Sequence, residues 1–244
     1  MDKLFAVTSG KGGVGKSTVA TMLASSLAQN GENVLLIDLD EGLRCLDLML
    51  GISETVAFDL ADILNGRESE AAIYPIPLCN NLSLIPAPQK TGQINPQSFS
   101  LFLREITEKY DKVVVDFPAG IDFSLYNALP DYTVFITVCT PDPVSLRDAS
   151  LVAEELYSHN KQNVRLIINR FDINFIKDGV YAGIDDMIDK TGIRLLGVVP
   201  YDISLTLAHA SSRLPKKGNA KKAFVRIAER LVGKNVKLPK PNKI

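Results

Sequence analysis

An open, doubly wound α/β sheet, mostly parallel with helices on both faces, is the fold class predicted by this 244-residue sequence. Three observations predict it. Apolar β-like runs alternate with helical patterns, as the strands and helices of βαβ units do. Several runs are nearly continuous in Val, Ile and Leu, as in strands covered on both faces. The first run leads directly into a glycine-rich octet that opens a helix.

The first strand is expected at Leu4–Thr8, and a helix at Ser17–Asn30 carries Val19, Ala20, Leu23, Ala24 and Leu27 at helical spacing. Between them, Gly10 and the octet Lys11-Gly12-Gly13-Val14-Gly15-Lys16-Ser17-Thr18 satisfy G-x-x-x-x-G-K-[ST]. Backbone N–H groups of such a loop wrap a triphosphate, and the helix that follows aims its positive end at it. Lys16 supplies charge for the β and γ phosphates, and the Ser17 hydroxyl is a ligand for Mg²⁺. A nucleoside triphosphate is the ligand this arrangement predicts.

Further strands are expected at Val34–Asp38, Leu82–Pro86, Val113–Asp116, Thr133–Val138, Val164–Asn169 and Leu195–Val199. Helical patterns occupy Phe58–Leu64, Pro96–Tyr110, Val144–His159, Gly183–Lys190 and Asn219–Val232. Asn95 before Pro96 reads as an N-cap with proline at the first helical position. Ala220, Ala223, Phe224, Ile227, Ala228 and Leu231 form an apolar stripe on the last helix, with Lys221, Lys222, Arg226 and Arg230 on its wet side. No repeat or linker interrupts the pattern, so residues 1–232 are expected to form one domain. The tail 233–244, with Pro239, Pro241 and little apolar surface, is expected to be mobile.

Composition narrows the function classes. Hydrophobic residues make up 46 % and charged residues 23 %, enough for a full core. No apolar run approaches the roughly 18 residues of a membrane span, and Leu4–Val7 is too short for a signal peptide. Cys45, Cys79 and Cys139 are widely spaced, which fits a reduced cytoplasm and supplies no pair to bridge an iron–sulfur cluster. The net charge of −1 hides an asymmetry. From Arg213 onward, eleven Lys or Arg face the single acid Glu229, a balance of +10, so the preceding residues carry −11. Such an end suits nucleic acid, an anionic membrane or an acidic partner, or is simply a solvated helix face.

Acids stand at predicted strand tips. Asp38 and Asp40 close Val34-Leu-Leu-Ile-Asp38-Leu-Asp40, and Asp116 closes Val113-Val-Val-Asp116. A carboxylate at the end of an apolar strand can hold Mg²⁺ or its waters, the role expected of Asp38 and Asp116. Asp40, beside Glu41-Gly42-Leu43, is the candidate that orients or deprotonates the attacking water.

These segments together resemble the ParA/MinD deviant Walker A ATPases, over roughly residues 3–232. Lys11 is the additional early lysine of that loop, and Asp38-Leu-Asp40-Glu-Gly-Leu-Arg44-Cys45-Leu-Asp47 is similar to switch I on the MinD side of the family. Asp116-Phe-Pro-Ala-Gly-Ile121 resembles switch II, and Val144-Ser-Leu-Arg147-Asp148 a helix start that partners contact. The resemblance implies a P-loop NTPase fold of the SIMIBI type, ATP and Mg²⁺ as cofactors, and slow, partner-stimulated hydrolysis. It implies an ATP-dependent homodimer in which Lys11 reaches the other subunit's nucleotide; the alternative is that Lys11 serves its own. Lys11, Lys16 and Asp40 are then the catalytic set.

By the same resemblance Asn169, Arg170, Pro200 and Asp202 wall the base pocket, with the Asn169 amide reading adenine. No N-K-x-D motif points to guanine. Arg44, Arg147 and Asp148 are the implied partner contacts, with a MinC-like regulator as the implied partner and division-site placement as the process. Positioning of flagella, pili or DNA, and nucleotide-gated binding without turnover, are the alternatives. Two features depart from the family. Cys45 stands where Asn is usual, and the tail lacks the amphipathic helix that would attach the chain peripherally to the membrane.

Overall fold

The computed structural model describes residues 2–121 and 123–244. In chain order the elements are β1 (Leu4–Thr8), α1 (Lys16–Gln29), β2 (Val34–Asp38), α2 (Leu46–Met49), α3 (Leu60–Leu64), β3 (Tyr74–Pro75), β4 (Leu82–Ile85), α4 (Pro96–Lys109) and β5 (Lys112–Asp116). There follow α5 (Phe123–Ala128), β6 (Val134–Cys139), α6 (Pro143–Ser158), β7 (Val164–Phe171), α7 (Asn174–Lys177), α8 (Ile184–Thr191), β8 (Leu195–Pro200), α9 (Ile203–Ala210) and α10 (Asn219–Leu231). Single 3₁₀ turns stand at Ser53–Thr55, Ser69–Ala72 and Pro241–Lys243.

One eight-stranded sheet runs in the order β3-β4-β2-β5-β1-β6-β7-β8. Every pairing is parallel except that of β3 with β4, which protects one edge with a two-residue antiparallel strand. The four central strands, β2, β5, β1 and β6, are wholly buried, which is why they read as apolar runs rather than alternations. One face packs Phe99, Leu103 and Ile106 of α4, Leu146 and Val152 of α6 and Met187 of α8 against Phe135, Val113 and Leu35. The other packs Val19, Leu23 and Leu27 of α1 and Phe224 and Ile227 of α10 against Phe5, Leu36 and Val114. Gly197 of β8 lets α10 approach, because a Cβ there would lie 2.5 Å from Ile227 Cγ1.

Helix ends follow the sequence signals. Asn95 Oδ1 accepts from Ser98 N at 3.0 Å with Pro96 at the first position, and Asp142 Oδ1 accepts from Ser145 N at 2.9 Å ahead of Pro143. The expected helix at Phe58–Leu64 starts later, at Leu60, because Asp59 caps it by accepting from Ala61 N. β7 runs two residues further than expected, through a bulge where Arg170 takes φ 55. The tail expected to be mobile has specific contacts. Val236 O accepts from Arg230 Nε at 2.8 Å, and Ile244 packs against the first core face. No helix among the described residues is long and apolar enough to cross a membrane.

Candidate active site

Register places the acids. β5 lies between β2 and β1, with Asp38 opposite Asp116 and Asp116 opposite Val7, two residues before the glycine-rich loop. Both carboxylates therefore meet the loop at the carboxyl end of the sheet, where open α/β sheets bind ligands. Gly13 and Gly15 turn that loop through φ 83 and 88, and Gly15 leads directly into α1 at Lys16. Gly10 is needed for close packing as well as phosphate access, since a Cβ there would lie 2.7 Å from Asp148 Cβ on α6.

Lys16 and Asp116 form a buried pair. Lys16 Nζ lies 2.8 Å from Asp116 Oδ1, with side chains 6 % and 0 % exposed, and 3.3 Å from Ser17 Oγ. Burial pushes the Asp116 carboxyl up, and Lys16 opposes that shift. Asp116 Oδ2 is buried with no protein partner. Asp38 accepts from Asp40 N at 2.9 Å and from Leu46 N at 3.4 Å, so it also caps α2. Burial and then the Asp116 charge raise its carboxyl from 3.8 to about 7, against those two N–H groups and Lys16.

This donor set fits Mg²⁺. Hard oxygens from Ser17, Asp38 and Asp116 are available, and one of them has no other partner. Among the described residues no group of three or more His, Cys, Asp or Glu could cage a metal by itself. That suits an ion held by few protein ligands with phosphates and water completing its shell.

The segment after β2 is more ordered than its composition suggests. Glu41 accepts from the backbone N–H groups of Gly92, Gln93 and Ile94, each at 2.8 Å, and Gly42 N donates to Pro88 O at 3.0 Å. Leu43 at the tip stays 78 % exposed. Cys45 is half-buried, and burial followed by the Asp38 charge pushes its thiol up to about 11, the direction that disfavours the thiolate. Lys11, at the rim, pairs with Asp142 at 3.1 Å.

Beside the loop, a cavity of about 390 Å³ is lined by Gly15, Thr18, Asn169, Arg170, Pro200 and Asp202. Two of these residues also make hydrogen bonds within the protein. Asn169 donates one amide N–H to Val14 O at 2.8 Å, which fixes the side chain and leaves its second N–H and its carbonyl oxygen for a base. Asp202 accepts from Ser204 N at 2.9 Å and Ala220 N at 3.1 Å, so its carboxylate joins α9 to α10 at the wall of the cavity. Sequence reasoning missed α9, which closes this cavity with Leu205, Thr206 and His209. Asp202-Ile-Ser-Leu205 held the signal, an N-cap acid ahead of an apolar run. Burial holds His209 below its ordinary range, and its Nε2 is buried without a partner.

The residues expected to contact partners differ in exposure. Arg44 is 11 % exposed and locked to Asp47 at 2.7 Å, and Asp148 is 20 % exposed behind Gly10. Arg147, 70 % exposed, is the most accessible of the trio and pairs with Asp148 at 3.4 Å.

Known proteins share this arrangement. The family model described as CobQ/CobB/MinD/ParA nucleotide binding domain matches residues 5–215. The septum site-determining protein MinD of Thermotoga maritima is 32 % identical over 247 aligned positions, covering 98 % of this chain and 91 % of that protein. A MinC:MinD cell division protein complex from Aquifex aeolicus superposes with TM-score 0.88 at 31 % identity, over 98 % of this chain and 99 % of that one. MinD complexed with Mg-ADP from Pyrococcus horikoshii gives TM-score 0.82 at 25 % identity, over 96 % and 97 %. With the P-loop, paired strand-tip acids and near-full-length likeness together, the chain belongs to the CobQ/CobB/MinD/ParA nucleotide-binding family, in its MinD group.

Proposed function

We propose that this protein is a MinD-type ATPase acting in division-site placement, a nucleotide switch that dimerises with ATP, takes a MinC-like regulator as partner, and parts after hydrolysis. ATP and Mg²⁺ are its cofactors. The observation that carries the reading is the Lys16–Asp116 pair between Ser17 and Asp38, with Asp116 Oδ2 unpartnered. Residues 1–232 act as one unit, and the remaining twelve form a basic tail.

Roles follow from placement. The N–H groups of residues 10–18 hold the phosphates, and Lys16 exchanges part of its bond to Asp116 for the β and γ oxygens. Ser17, Asp38 and Asp116 hold Mg²⁺, which when bound neutralises charge on the phosphates. Asp40 orients the water in line with the γ phosphate. Lys11 leaves Asp142 to approach the partner subunit's nucleotide, where a cation offsets repulsion between two facing triphosphates. Hydrolysis is slow alone and accelerated by a partner.

Molar mass measured by light scattering in ATP–Mg²⁺ and in ADP tests the switch. The mass should double with ATP in the Asp40→Ala protein, which binds ATP but hydrolyses it at least ~100-fold more slowly. Lys16→Ala should lose nucleotide binding, and Lys11→Ala should stay monomeric with ATP bound. Identical mass in both nucleotides would remove the proposal, and normal turnover by Asp40→Ala would remove that residue's role.

A further inference from the structure

At the sheet edge opposite the P-loop, the chain gathers positive charge without matching acid. A cleft of about 410 Å³ lies between the starts of β6, β7 and β8, the end of α10 and residues 234–236 of the tail. Arg165, Arg194, Arg230 and Lys234 line it, and Asn163 and Asn235 add amides. The acid among its lining residues is Asp2, so the local formal balance is +3. β7 spans the distance to the nucleotide end; its eight residues put the two sites roughly 25 Å apart.

The guanidinium of Arg230 is held in place. Nε donates to Val236 O and Nη1 to Leu196 O, both at 2.8 Å. Nη2 is buried, and no protein atom accepts from it. Arg165 Nη1 donates to the neighbouring Val164 O at 2.9 Å. Among the described residues no carboxylate ion-pairs with Arg165, Arg194 or Arg230, whereas Lys234 pairs with Glu229 at 3.4 Å. Burial, and then repulsion from Arg194, hold Arg165 below the usual arginine range.

A buried cationic N–H without an acceptor is unfavourable, and gathered like charges add to that. Two guanidiniums, those of Arg165 and Arg194, line one space with the unpartnered Nη2 of Arg230 beneath it, a donor set that suits the oxygens of a tetrahedral phosphate better than a single carboxylate. The space exceeds one phosphate group, leaving room for a second phosphate or an ester substituent. We propose that this cleft is a second anion site, which seats a phosphate group of a phosphorylated small molecule or lipid headgroup between Arg165, Arg194 and Arg230.

Equilibrium dialysis with labelled inorganic pyrophosphate tests it, on the chain loaded with ADP and excess Mg²⁺ so that the P-loop is filled. One pyrophosphate should bind per chain at physiological salt. Arg165→Gln and Arg194→Glu should each weaken it at least tenfold while ADP affinity stays unchanged. Arg194 is exposed, so its replacement keeps the fold even if Arg165→Gln does not. The double change Lys216→Ala, Lys217→Ala, on a separate basic surface, should leave binding intact. Sedimentation with phosphatidylglycerol vesicles separates the two sources. Retention competed by pyrophosphate and lost in Arg194→Glu assigns a lipid headgroup; pyrophosphate binding without retention assigns a soluble phosphate. The site is refuted by no pyrophosphate binding at millimolar concentration, by equal binding in Arg194→Glu, or by equal weakening in the Lys216/Lys217 variant.

Discussion

Asp38 and Asp116 stand side by side at neighbouring strand tips, both buried, with one ammonium, that of Lys16, paired to Asp116. Burial first, and then the neighbouring Asp116 charge, push the Asp38 carboxyl up to about 7, because two carboxylates share one lysine in a dry place. A carboxyl raised in the folded state stabilises below its unfolded value of 3.8, and that contribution is lost as pH rises through about 7. The nucleotide-free, metal-free protein should therefore melt several degrees lower at pH 8 than at pH 5 on account of this group. Asp38→Asn should flatten that difference and raise the pH 8 melting temperature while weakening Mg²⁺-dependent turnover. Scanning calorimetry in EDTA checks it, and an unchanged pH profile in the variant would contradict it. Such local instability is what a site built for a cation has without one.

At the scale of elements, the switch segment after β2 is tethered by one side chain. Glu41 satisfies three successive N–H groups of the 92–94 loop, and a charged acceptor makes such bonds stronger than neutral ones. Removing it leaves those donors to water and frees both loops. Glu41→Ala should lower hydrogen-exchange protection at Gly92, Gln93 and Ile94 about tenfold, equivalent to ~1.4 kcal/mol of local opening. Amide exchange by NMR reads it directly, and unchanged protection there would show that the loop holds itself. Glu41→Gln, which keeps an acceptor but loses the charge, should fall between. The last helix is a second tie: α10 starts where Asp202 holds Ala220 N and ends where Arg230 holds the tail.

For the whole molecule, the proposed trans role of Lys11 predicts that its pair with Asp142 opposes association. Lys11 has to leave Asp142 before it can extend from the P-loop rim, and an exposed pair of this kind is worth only ~0.2–1 kcal/mol. Asp142→Asn keeps a good N-cap for α6 and removes the ionic hold. ATP-dependent dimerisation should then occur at a two- to tenfold lower protein concentration, about 1 kcal/mol spread over two subunits. Sedimentation velocity across a concentration series measures it. A dimerisation midpoint that does not move would show that Lys11 is not restrained by this contact.

Sequence alone determined what depends on local spacing. The P-loop, the strand-tip acids Asp38 and Asp116, the cap Asn95, and the runs that became β1, β2, β5 and β6 are read within a few residues, because backbone periodicity and phosphate geometry act at that range. Tertiary structure decided what joins residues remote in sequence. It brought Glu41 to the 92–94 loop, Lys11 to Asp142, the Asn169 amide to Val14, and Arg165, Arg194 and Arg230 into one cleft. The physical reason is that strand order is not chain order: β5 enters between β2 and β1, and α10 crosses behind β8. Which side chains become neighbours, and which charges go unpaired, is settled only when that sheet is assembled.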